Sequence, residues 1–396
     1  MHILIVSDQL PMPDRASGDL RFYSLLKSLA NRHTLVFFIK AEEYQRNLIG
    51  ETNYIHYKSL LSSLGIDIST SFQNAVKKYK FECVIFEFYY TANFYLSIIR
   101  YYQPESRIFI DSVDVHFNRL YAKAKLSEDD SDYNQAKCTE SEELSAYSQA
   151  DALITVSQED KDILLSRLPN SNIFVIPNIH HIPDFDPNRI SSPVKLLFVG
   201  NFKHPPNVDG IIYFCQEIMP LLAQKIEVKL TIVGNSPTDE VRKLANNNIK
   251  VTGFVPEVGP YYSNTDIVIA PLRFGGGLKG KVGEAMSYSR PLVMTSFGAE
   301  GFSITDRFHY LLANSADEFI KGIVELSNNP VLYDKISLNA WNYINDNYSD
   351  KKIDLLIESI FSKIDSIKIR KLTIYKRMYI WLSELARQHL LWRFKR

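Results

Sequence analysis

At 396 residues the chain is too long for one ordinary domain and fits two of about 150 to 200 residues, each able to bury its own core. Hydrophobic residues make up 45% and charged residues 23%, a globular composition. The 45 Lys and Arg balance the 45 Asp and Glu, which excludes the overall basic field that nucleic-acid binding draws on.

The N-terminal MHILIVSD has no basic leader, and its apolar run of about five residues falls far short of a signal core or a membrane span. It is expected as a first strand, His2 to Ser7. Further strands are expected at Thr34 to Ile39, Cys83 to Phe88, Arg107 to Asp111, Ala152 to Val156 and Ile173 to Ile176, with helices such as Gly18 to Ala30 and Asp132 to Gln149 between them. Short β-branched runs alternating with helical patterns imply βαβ units, so residues 1–185 are expected as one doubly wound parallel sheet. The cysteines Cys83, Cys138 and Cys215 are far apart without CxxC spacing and are expected as reduced thiols, which points to the cytoplasm.

The three prolines of HIPDFDPNRISSP, His181 to Pro193, mark an expected hinge. The pattern then restarts with strands at Lys195 to Val199, Val228 to Val233, Asn248 to Val251, Asp266 to Ala270 and Leu292 to Thr295, and helices at Val208 to Leu222 and Gly280 to Ser287. Residues 194–348 are expected as a second Rossmann-like domain. Beyond Ser349 a wholly helical region, 349–396, is expected. Its last part, Ser366 to Arg396, holds nine basic residues against Glu384 alone, interleaved with Trp, Tyr and Leu. That pattern fits either an interfacial helix on an anionic membrane or a crossover helix packed on the first domain with a solvated basic face. No window approaches the roughly 20 apolar residues of a spanning helix.

Ligands of open parallel sheets bind outside the carboxyl ends of the strands. The most informative such stretch is APLRFGGGLKGKVGEAMSYSRPLVMTSFGAEG, Ala270 to Gly301, in which a strand leads through Gly275, Gly276 and Gly277 into a helix bearing Lys279, Lys281 and Glu284. Glycines let a backbone approach a ligand closely, and a helix N-terminus favours an anion. Two ammonium groups there suit a nucleoside diphosphate as it leaves, and Glu284 suits two ribose hydroxyls. A plain glycine turn with solvated lysines is the competing reading. In the first half, PMPDRASGDLR (Pro11 to Arg21) opens a helix at Gly18, either as an anion-binding corner or as an ordinary turn with Ser17 as N-cap. IDSVDVHFNRL offers Asp111, Asp114, His116 and Arg119, and a lone histidine is more often structural than catalytic. No metal is expected, since His180 and His181 are adjacent rather than spaced for ligation.

Several segments in order resemble one family: VSQEDKDIL (156–164), VIPNIH (175–180), LLFVGNFKHPPNVDGIIYF (196–214), LTIVGNSP (230–237), the run from Val251 to Val293, and GAEG (298–301). They resemble the retaining nucleotide-sugar glycosyltransferases of the GT-B fold, family 4. That resemblance implies two Rossmann-like domains facing a central cleft, a UDP- or GDP-sugar donor, retention of anomeric configuration and no required cofactor or metal, while the basic, aromatic-rich tail favours a glycan or lipid-linked acceptor. It implies donor contacts from Gly200, Asn201, Lys203, Gly275, Gly276, Gly277, Leu278 and Glu284, sets Gly18 against the donor diphosphate or the acceptor, and leaves Glu300 either touching the sugar or capping a helix. His116, Lys279 and Lys281 are then closest to the chemistry. Glu284 matches the second glutamate of the family's paired-glutamate motif.

The chain departs from that pattern in two places. The first glutamate of the pair falls at Gly276, and Asn201 and Asn207 stand where many relatives place Arg and Lys. The resemblance gives Lys279 and Lys281, with Lys203 as a third, the charge role of those missing groups. Two other readings share the fold: a nucleotide-sugar epimerase, and a nucleotide-sugar-binding scaffold without catalysis.

Overall fold

The computed structural model describes residues 1–127, 129–187, 190–275 and 278–393. Two compact units emerge, one built on Met1–Ala124, Glu128–Pro177 and Asp354–Arg396, the other on Asn178–Ile353.

The first unit holds seven strands: β1 (His2–Ser7), β2 (Thr34–Ile39), β3 (Asp67–Ser69), β4 (Cys83–Glu87), β5 (Arg107–Asp111), β6 (Ala152–Thr155) and β7 (Asn172–Val175). All pair in parallel in the order β3-β2-β1-β4-β5-β6-β7. The near-continuous apolar runs of β1 and β4 follow from burial on both faces by helices, as a parallel sheet demands. β3 is missing from the sequence reading because three residues at a sheet edge leave too short an apolar run to stand out.

The second unit holds β8 (Val194–Val199), β9 (Val228–Val233), β10 (Ile249–Gly253), β11 (Ile267–Ala270), β12 (Leu292–Met294) and the two-residue β13 (Leu311–Leu312). These are again parallel, in the order β10-β9-β8-β11-β12-β13. Alternate residues serve opposite faces: Leu196, Phe198, Leu230 and Ile232 enter one core, whereas Leu197, Val233, Val268 and Met294 enter another. Val282, Ala285 and Met286 of the helix Gly280–Ser287 seal that second face.

Three expectations need correcting. The helix expected over Val208 to Leu222 is a helix at Pro205–Tyr213, a π-turn at Phe214–Ile218 and a final turn at Met219–Leu222. Pro220 has no N–H to give to the preceding turn, so the regular ladder cannot run through it. The Pro-rich segment is fastened to the second unit rather than free: Trp341 Nε1 donates to Pro183 O at 3.0 Å, and Arg290 Nη2 to Asp186 O at 2.9 Å. The C-terminal region is not wholly helical. Asp350–Phe361 and a short turn at Ile364–Ser366 are followed by an irregular stretch before the helix Ile374–Arg393. In that stretch the Arg370 N–H is spent on Asp151 Oδ1 at 2.6 Å, so it is lost to a helical ladder.

Candidate functional site

In the second sheet the chain runs outward from β8 through β9 to β10, then returns to the other side of β8 to lay down β11 to β13. The strand order therefore reverses between β8 and β11, and the loops leaving their carboxyl ends must diverge around a crevice. Those loops are 200–204 and 271–279.

Side chains converge on that point from three loops. Gly275, at φ 125°, lies where an added Cβ would touch Pro206 Cγ at 3.5 Å, and Gly301, at φ 86°, sits against Leu278 in the same way at 3.3 Å from its Cα. Both backbones occupy the region that favours glycine. Gly210 approaches the carbonyl of Pro271 so closely that a Cβ would lie 2.6 Å from it. Gly234, after β9, backs onto Gly200, where a Cβ would lie 1.7 Å from the Gly200 oxygen. Gly276 and Gly277 lie outside the described residues.

Lys279 is the N-cap residue of the helix Gly280–Ser287, 8% exposed, and its Nζ donates to Glu300 Oε2 at 2.7 Å. Glu300 therefore acts here as the partner of Lys279. Lys281 turns the other way. Its Nζ donates to Asn207 Oδ1 and lies 4.5 Å from the centre of the Phe198 ring. Asn207 is itself oriented by its Nδ2 donating to Asn201 O at 2.8 Å. Burial pulls the Lys281 ammonium down to about 7 and Lys279 adds to the pull, while Glu284 opposes both. Glu284 accepts from Tyr262 Oη at 2.9 Å, and burial raises its carboxyl above the ordinary range. Tyr262 stacks on Tyr288, with centroids 5.4 Å apart and planes at 12°. Lys203 stands exposed at the rim, its backbone N–H bound to Asn201 Oδ1 at 3.0 Å.

One face of this helix is pressed against a histidine. His180 is 3% exposed, and a Cβ on Gly283 would meet its Nε2 at 2.1 Å. Burial drives its imidazole down to about 4, so the ring is neutral at physiological pH. Sequence reasoning missed this pairing, along with Tyr262, Phe198 and Gly234. Gly234 alone carried a signal, a glycine after β9 mirroring Gly200 after β8.

Gly18 and His116 belong to the first unit. Its helix Ser17–Ala30 starts one residue earlier than expected, and the cap position falls on Ala16, so the reading of Ser17 as N-cap gives way. Gly18 lies 3.5 Å, for an added Cβ, from Val113 Cγ1, an ordinary contact. His116 opens the helix His116–Ser127, its ring stacked on Phe88 at 5.7 Å and edge-on to Tyr89 at 5.5 Å. Burial lowers its pKa. Glu143 caps that helix by accepting from His116 N at 3.1 Å and Phe117 N at 2.8 Å. The nearby charges are matched: Arg119 pairs with Asp114 at 2.7 Å, and Arg21 with Asp111 at 2.8 Å, fully buried. Phe88 (φ 64°) and Val113 (φ 56°), after β4 and β5, hold strained backbone beside this loop, as functional corners often do. Among the described residues no group of three or more His, Cys, Asp and Glu side chains is placed to hold a metal ion.

Residues 193–329 match the family model described as glycosyl transferases group 1. An uncharacterised 44.6 kDa protein in the cps region of Klebsiella pneumoniae is 29% identical over 46% of this chain and 50% of its own length. An uncharacterised glycosyltransferase of Methanocaldococcus jannaschii is 26% identical over 55% of this chain and 60% of its own. The matches thus span only half to three fifths of these curated relatives. Among solved structures, sucrose-phosphate synthase from Thermosynechococcus elongatus superposes with a TM-score of 0.68 at 12% identity, over 93% of this chain and all of that one. The Anabaena protein HepE, solved with UDP and glucose, gives 0.65 at 16% identity, over 92% of this chain and all of that one. At such identities the likeness to the structures is one of fold.

Proposed function

We propose, from the GT-B fold and from the match of residues 193–329 to the family model described as glycosyl transferases group 1, that the chain transfers a sugar from a nucleoside-diphosphate sugar to an acceptor hydroxyl. The observation that carries this reading is the gathering of Lys279, Lys281 and Glu284 on one helix at the strand-order reversal of the second sheet, each held by a partner from another element. The first N–H groups of that helix have no partner within it and favour an anion. A diphosphate placed there would meet the helix end and the two ammonium groups, while Glu284 would take the ribose hydroxyls.

In the proposed step the acceptor oxygen bonds to the anomeric carbon, the bond from that carbon to the diphosphate breaks, and the acceptor proton passes to the leaving diphosphate. Positive charge aimed at the departing group lowers the barrier, because that is where negative charge develops. Retention of configuration, a UDP or GDP donor, and a surface-glycan or lipid-linked acceptor belong to the same proposal. The cps-region relative supports the glycan part, and the UDP and glucose held by HepE support the donor class.

The test is a panel of UDP- and GDP-sugars, read by thermal stabilisation and by slow donor hydrolysis. The true donor at a hundredfold excess over its Kd adds about 2.7 kcal/mol of stability, a rise of a few degrees. If no nucleotide-sugar moves the melting midpoint and none is consumed, the proposal fails.

A further inference from the structure

The helix Ile374–Arg393 lies in the first unit, and over residues 374–382 it turns an apolar stripe outward. Its root is tied down. Arg370 donates through its backbone N–H to Asp151 and through Nη1 to the Ser148 carbonyl, Lys376 Nζ donates to Gln149 Oε1 at 2.8 Å, and Ile380 is buried at 6% exposure. Ile374, Tyr375, Met378, Tyr379, Trp381 and Leu382 are all exposed, from 49% at Trp381 to 86% at Tyr375. Their spacing of i, i+1, i+4, i+5, i+7 and i+8 places them on one side of a helix, and Ile380 falls about 180° away at 100° per residue. Among its described side chains the helix buries Ile380 against its own domain while holding two tyrosines, a tryptophan and three aliphatic residues in water, an unpartnered apolar face.

Charge decides what covers it. Residues 366–396 hold nine Lys and Arg against one acidic residue, about eight positive charges net, on a chain whose total is zero. Lys368 and Lys371 before the helix, and Lys376 and Arg377 in its first turn, are exposed. Pairing this face with a second copy would press two such tails together, whereas an anionic surface neutralises them. Tyr and Trp rings belong at the headgroup level, with cationic heads reaching the phosphates. We propose that the tail is an interfacial membrane helix that seats the first unit on a bilayer of anionic lipid through residues 374–382. Among the described residues no helix is long and apolar enough to cross a membrane, so the seating is lateral.

The test is sedimentation of the full chain with vesicles of phosphatidylcholine containing 30% phosphatidylglycerol, and with phosphatidylcholine alone, together with analytical ultracentrifugation without lipid. Binding is expected to the anionic vesicles, to weaken with salt, and to be accompanied by a blue shift of tryptophan emission that Trp381→Phe diminishes. Lys371→Gln with Arg377→Gln should lower the partition coefficient about thirtyfold, the worth of two charges at such a surface. Tyr375→Ser with Trp381→Ser and Leu382→Ser should lower it more than tenfold without moving the melting midpoint, since all three side chains are exposed. Failure to bind anionic vesicles, or equal binding by both variants, overturns the proposal. A lipid-free dimer that the triple variant dissolves overturns it in favour of a second copy. None of these readouts uses donor turnover, so they stand or fall apart from the transferase proposal.

Discussion

The position of Lys281 makes a quantitative prediction about proton uptake. Its ammonium faces one amide oxygen and an aromatic ring, and burial brings it down to about 7. At pH 8 only about one tenth of the free protein carries that proton, whereas at pH 6 about nine tenths does. A diphosphate beside Nζ returns the pKa towards the ordinary lysine range, so binding should draw in about 0.9 proton per site at pH 8 and about 0.1 at pH 6. The same linkage makes the apparent Kd rise about tenfold per pH unit above roughly pH 8. Titration calorimetry with UDP, and separately GDP, in two buffers of different ionisation enthalpy measures the uptake directly. Lys281→Met should abolish the buffer dependence and weaken binding about 10- to 100-fold, the worth of one charge-assisted contact. A nucleotide that binds at pH 8 with identical heats in both buffers, or with the same uptake in Lys281→Met, would refute the role given to Lys281. It would leave the donor proposal standing.

Lys279→Ala should lower turnover about a hundredfold or more, the scale of losing one contact made to the leaving group in the transition state, with unchanged turnover speaking against its role. Gly283→Ala forces a methyl group onto the His180 ring and should cost about 1–3 kcal/mol by differential scanning fluorimetry. The double variant Gly283→Ala/His180→Ala should recover part of that loss, and no recovery would show that the ring is not the obstacle. Glu143, raised by burial to about 7, holds its proton more tightly folded than unfolded. Its contribution is therefore complete below about pH 4.5 and lost as pH rises through 7, at most about 3 kcal/mol. Melting curves from pH 5 to 7 should show Glu143→Gln losing stability less steeply than the parent, and parallel curves would exclude the effect.

Both sheets were legible because buried parallel strands write themselves as unbroken apolar runs. β1, β2, β9 and the helix Gly280–Ser287 fall at the residues the pattern marks. What stayed hidden was short or was decided elsewhere in the chain. β13 has two residues, too few for any periodicity, and is placed by pairing with β12. The break in the C-terminal region comes from Asp151, more than two hundred residues away, which captures the Arg370 N–H. No local propensity records such a partner.

The site divides the same way. Glycine and lysine spacing located the loop, yet Lys279 and Lys281 look interchangeable in sequence and are not so in the fold. Two residues apart on a helix, they cannot face the same side. One meets the carboxylate of Glu300 and keeps an ionic partner. The other meets only Asn207 and Phe198, and burial without a carboxylate contact is what brings its proton within reach of neutral pH. Asn207 is what makes room for that second ammonium: a lysine there would set two positive charges side by side in a buried corner. The neutral amide of Asn207, on the helix Pro205–Tyr213, and the unusual state of Lys281, on the helix Gly280–Ser287, are thus one feature seen from two helices.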